Sequence, residues 1–131
     1  MRIAAKIAML LAALLVLVAA NPTPSERKAV LDALRPKVEA KLGPNVEFVV
    51  QVLRVEGGWA FVIADPRRKG GGPIDGDRIF GDDFENMDGL RVDAVLQKRG
   101  GRWIVADWGI GATDVWYCKV GPKSLKRGYG C

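Results

Sequence analysis

The amino-acid sequence predicts an α+β fold: an N-terminal helix packed on a curved antiparallel sheet of four to five strands. Three observations carry this expectation. A capped amphipathic segment spans residues 24–42, four runs rich in β-branched and aromatic residues follow it, and the glycine pairs Gly57-Gly58 and Gly100-Gly101 divide those runs two by two. A helix followed by hairpins, with no strand–helix alternation, belongs to the α+β class. At 131 residues the chain has the length of about one domain.

The first twenty residues predict a leader. Arg2 and Lys6 precede the uncharged apolar run Ile7 to Ala20, which ends in Val18-Ala19-Ala20 before the polar Asn21-Pro22-Thr23-Pro24. A cationic start, a short apolar stretch and a small-residue exit form a secretory signal peptide with cleavage after Ala20. A membrane anchor is the alternative, but the run falls short of the roughly 20 apolar residues a span requires. Removing residues 1–20 leaves 111 residues, and loss of Arg2 and Lys6 lowers the net charge from +5 to +3. The expected organisation is a signal peptide at 1–20 and a single domain at 21–131, exported to a periplasm or the extracellular space.

Each element has a local reason. Thr23-Pro24-Ser25-Glu26 has the spacing of a capping box with proline at the first helical position, and Val30, Leu31, Leu34, Val38 and Leu42 recur at near-helical intervals. The helix ends before Gly43-Pro44. Pro36, which brings no N–H, should kink it or split it. Strands are expected at Val46 to Glu56, Trp59 to Ala64, Leu90 to Lys98 and Arg102 to Trp108, with a further short one at Thr113 to Lys119. The glycine pairs suit two-residue hairpin turns. Alternation groups Trp59, Phe61 and Ile63 on one face of their strand and Phe48, Val50 and Val52 on one face of theirs, so one side of the sheet should receive the helix and the other should be only partly apolar. Between the hairpins, residues 65–89 show no period and contain Gly70-Gly71-Gly72-Pro73; they form an expected long loop, in which Arg78-Ile79-Phe80 could hide a strand.

Composition excludes much chemistry. The chain has no histidine and only two cysteines, Cys118 and Cys131. It therefore lacks Ser-His and Cys-His dyads, imidazole metal ligands and a four-thiolate zinc site within one chain. In an oxidising compartment the two cysteines read as a disulfide, against the alternatives of free thiols or a pairing between chains. The acidic part of the loop (Asp75, Asp77, Asp82, Asp83, Glu85, Asp88) fits no EF-hand register. No metal or other cofactor is expected. Paired carboxylates on a glycine-rich loop lack the fixed environments that general acid and base work needs, which argues against an enzyme. If the chain were a hydrolase, Asp107 or Asp114 would be the better candidates, because strand ends hold side chains more firmly.

Binding is the better-supported expectation. Trp59 and Trp103 head strands in phase with apolar residues and are expected in the core. Trp108, Trp116 and Tyr117 flank the small-residue bend Gly109-Ile110-Gly111-Ala112-Thr113-Asp114, which could leave a cleft beside the open end of the sheet. Downstream, Lys119, Lys123, Lys126 and Arg127 occur with no acid before the chain ends, a basic tail at 119–131. Such a patch would attract an anionic envelope component or the acidic surface of another exported protein; a solubilising tail is the plainer alternative. The candidate binding residues are Trp108, Asp114, Trp116, Tyr117, Lys123, Lys126 and Arg127. Export and a charge of only +3 disfavour nucleic acid.

The order of a helix leading into a bent antiparallel sheet resembles cystatin-like and NTF2-like architectures. The segments Arg27-Lys28-Ala29-Val30-Leu31-Asp32-Ala33-Leu34-Arg35-Pro36, Gly58-Trp59-Ala60-Phe61-Val62, Gly101-Arg102-Trp103 and Thr113-Asp114-Val115 resemble small exported bacterial proteins of uncharacterised function. The resemblance implies fold and export and carries over no catalytic position. The expected function is an exported, non-enzymatic envelope module that binds a protein, peptide or envelope component, with a small-ligand pocket of NTF2-like shape as the alternative.

Overall fold

The computed structural model describes residues 21–131; the expected leader at 1–20 lies outside them. Helix α1 (Pro24–Leu42) begins as its residues dictate: the Thr23 hydroxyl accepts from the Glu26 amide and the Glu26 carboxylate accepts from the Thr23 amide. It ends at Gly43, whose φ of 91° suits a residue without Cβ. The helix runs unbroken through Pro36 rather than dividing there. Pro36 is exposed, so its ring projects into solvent, and the burial of Val30, Leu34, Val38 and Leu42 on the opposite face holds the helix together across the missing bond.

Strands β1 (Val46–Glu56), β2 (Trp59–Arg68), β3 (Val92–Arg99) and β4 (Arg102–Ile110) form one antiparallel sheet in the order β1-β2-β3-β4. Both hairpins turn on two glycines with positive φ, 55° and 78° at Gly57-Gly58 and 55° and 76° at Gly100-Gly101, as type I′ turns require. The expected fifth strand is absent: residues Trp116–Lys119 form a 3₁₀ helix instead. Arg78-Ile79-Phe80 lies in a short helix, α2 (Gly76–Phe80), that Asp75 caps through the Arg78 amide. A 3₁₀ helix (Gly81–Asn86) follows directly, and β2 extends to Arg68, so the segment 65–89 is far less open than its composition suggests.

The faces of the sheet are also assigned differently from expectation. Helix α1 packs on Ala60, Val62, Ala64, Val92, Ala94 and Leu96, the face with the smaller side chains. Small side chains on the central strands leave room for the helix's own buried residues, while its backbone lies nearest the edge strands β1 and β4. The Phe61 face is covered in part, by the C-terminal segment: Phe61, Ile63, Val95 and Val52 bury against Tyr117 and Leu125. Phe48 and Val50 belong to the helix side while Val52 faces the other way, because a β-bulge at Gln51 reverses the alternation midway along β1. A second bulge at Ala106 does the same in β4. Trp103 and Trp108 are half-buried on the helix side, and Trp59 is half-buried on the other.

Cys118 and Cys131 are joined by a disulfide, with Cα atoms 5.4 Å apart. The ring it closes is packed from within. Leu125 is fully buried, the rings of Tyr117 and Tyr129 lie 4.9 and 5.8 Å from that of Phe61, and the Tyr117 hydroxyl donates to the Tyr129 carbonyl at 2.8 Å. Among the described residues no helix is long and apolar enough to cross a membrane.

Candidate functional site

An open cleft of about 580 Å³ lies on the sheet face that carries the C-terminal ring. Its floor is Gln51, Val52 and Ile63 of β1 and β2; one wall is Asp88 and Arg91, and the other runs through Ala112 to Val115, Tyr117 and Gly128 to Gly130. Three distant parts of the chain thus build one site.

Gly111 is the hinge of this assembly. Its amide donates to the Arg91 carbonyl at 2.7 Å and its carbonyl accepts from the Asp88 amide at 2.8 Å. It is buried with φ of 64°, and a Cβ there would stand 2.5 Å from the Gly89 carbonyl oxygen, so only glycine allows this approach. Arg91 then ties the wall together. Its Nε donates to Asp93 Oδ1 at 3.1 Å, its Nη1 pairs with Asp88 Oδ2 at 2.9 Å and its Nη2 donates to the Ala112 carbonyl at 3.3 Å.

Asp93 is the unusual member. It lies on β3 opposite Ile63 and Gly109 and is fully buried, and its Oδ2 has no hydrogen-bond partner among the described residues. Burial raises its pKa above the usual carboxylate value, against the pull of Arg91, and the charges of Asp88 and Asp114 push it further up. Tyr117, packed nearby, is likewise raised, by burial first and by the Asp93 charge second. The Trp116 indole nitrogen is also buried without a partner among the described residues, and it sits 3.6 Å from where a Cβ on Gly109 would stand.

The candidate residues therefore part company. Asp114, exposed, and Tyr117, buried, both line the cleft, and Trp116 backs it next to Tyr117, their rings edge to face at 5.7 Å. Trp108 does not join them: the Ala106 bulge sends it to the helix side, where it borders a separate hollow with Lys41, Phe80 and Ile110. Asp107 accepts from the Trp108 amide at 2.8 Å, an ordinary strand-edge role.

The basic patch is a correction. Lys126 is fully buried inside the disulfide ring, where its ammonium donates to the carbonyls of Val120 and Gly121; desolvation lowers its pKa. Two backbone oxygens that would otherwise lack donors account for a lysine there. Lys119, Lys123 and Arg127 remain exposed, but none of them lines the cleft.

Sequence reading missed Arg91, Asp88, Asp93, Gln51 and Tyr129. One signal was present: Asp93 interrupts the apolar run Val92 to Leu96, and a charge in a buried strand demands a partner. Among the described residues no group of three or more Asp, Glu, Cys or His side chains converges closely enough to hold a metal ion. Comparison with protein-family models, curated proteins and solved structures returned no match.

Proposed function

We propose that the protein is an exported, non-enzymatic module of the bacterial envelope that binds a protein or peptide partner through the cleft between the C-terminal ring and the sheet. The observation that carries this reading is the cleft itself: open to solvent, lined by charged and aromatic side chains, and framed by a disulfide-closed segment. An enclosed apolar cavity would suit a small hydrophobic ligand; an open polar cleft suits a side chain or short segment projecting from a larger partner. The disulfide and the leader-like residues 1–20 support export, and the order of helix and bent sheet is what the resemblance to cystatin-like and NTF2-like proteins expects.

The test is recovery of partners from envelope extract on the immobilised protein and on Asp114→Arg, a change at an exposed cleft residue that leaves the core intact. The expected result is a partner retained by the parent protein and lost by the variant. Equal recovery by both would refute binding at the cleft.

A further inference from the structure

Resting on the cleft as the binding site, we propose that it takes a cationic side chain, the ammonium of a lysine or the guanidinium of an arginine, from an extended segment of the partner polypeptide. The argument starts from an imbalance of charge. Asp88 and Asp114 line the cleft and Asp93 lies beneath it, whereas Arg91 is the one cation among the lining residues. Arg91 is already committed: its three nitrogens serve Asp93, Asp88 and the Ala112 carbonyl.

Two acceptors are left over. Among the described residues, Asp114 is exposed and forms no ion pair, and the buried Asp93 Oδ2 has no donor. A buried unpaired carboxylate oxygen costs the fold its desolvation free energy, and a nearby positive charge reduces that cost. The groups facing Asp93 are Arg91, Asp88, Asp114 and Tyr117, so the local field is negative beyond what one guanidinium offsets.

The two tyrosines that border the cleft are already engaged: the Arg54 guanidinium lies 4.9 Å from the Tyr129 ring centroid, and Tyr117 is buried against Phe61 and Trp116, so the carboxylates carry the assignment. Because the carboxylates do not converge as a metal-ligand set, the occupant they suit is a bulky cation on a flexible stem rather than a bare metal ion.

The experiment titrates the oxidised protein with three capped heptapeptides identical except for a central lysine, norleucine or glutamate, followed by amide and side-chain carboxyl NMR. The lysine peptide is expected to shift the amides of Ala112 to Val115 and Gly128 to Gly130. Its binding should weaken with added salt and fall about three- to fivefold in Asp114→Asn, the size of one screened surface charge pair. Occupancy should also lower the pH at which the Asp93 carboxyl titrates, a response that a merely structural Asp93 would not give. Equal binding of the norleucine peptide, or preference for glutamate, overturns the cationic assignment while leaving the cleft a binding site. Silence from all three peptides overturns it as well, and the partner-recovery comparison with Asp114→Arg then decides separately whether the cleft binds anything.

Discussion

Breaking the ring through the double substitution Cys118→Ser and Cys131→Ser should cost the protein about 3 kcal/mol. The disulfide links residues 13 positions apart, and the chain-entropy relation for a loop of this length gives about 3 kcal/mol at 25 °C. With an unfolding entropy of about 2.1 cal/mol/K per residue, the 111 residues of 21–131 convert that loss into a fall of about 13 °C in melting temperature. Because Leu125, Tyr117 and Lys126 are buried in the native packing, the segment should stay docked until the whole domain melts, so unfolding remains a single transition. The assay is thermal unfolding of both proteins by far-UV and near-UV circular dichroism. A fall of less than about 4 °C, or a separate early transition in the near-UV signal, would refute the reasoning: the first would deny the entropic role of the bridge, the second the cooperative packing of the ring on the sheet.

Two further outcomes test other levels of the structure. Pro36→Ala should stabilise the protein by about 2 kcal/mol in urea unfolding, since proline in a helix interior costs about 3 kcal/mol and its restriction of the unfolded chain returns up to about 1 kcal/mol; an unchanged midpoint would mean that Pro36 is accommodated without strain. Asp93 has a folded-state pKa raised by burial, so the native state binds the extra proton, and the stability this contributes is full below the unfolded carboxylate value and is lost as pH rises through the folded value. The stability of the parent protein relative to Asp93→Asn should therefore decline from acid toward neutral pH in denaturant titrations, and a constant difference would show that Asp93 titrates as an ordinary carboxylate.

The parts legible in the sequence are those set by neighbours along the chain. Thr23, Pro24 and Glu26 fix where the helix starts because capping acts over three residues, and Gly43-Pro44 fixes where it stops. The glycine pairs fix both hairpins because only they adopt the turn without strain, which places β1 and the starts of β2 and β4 where the pattern put them. With two cysteines, one intramolecular pairing was available, and it forms. That Asp114 and Tyr117 border a cleft was legible for a similar reason: they follow a glycine-rich bend at the end of β4.

Tertiary packing decided the rest. Which face takes the helix depends on how side-chain volumes fit between the layers: the helix covers the side of Ala60, Ala64 and Ala94, and the C-terminal segment packs on the Phe61 side. The bulges at Gln51 and Ala106 carry no local mark, yet each reverses the alternation beyond it, which is why Val52 and Trp108 lie on faces that simple periodicity does not give. Lys126 looks like a surface cation until the ring folds and two carbonyls require its ammonium, and Arg91, Asp93 and Asp88 become a site only when Gly111 brings the end of β4 against them. Local geometry thus determines the elements and their ends, because their stabilising contacts lie a few residues apart. The faces and the cleft join residues tens of positions apart, so they depend on how side-chain volumes and charges fit in three dimensions.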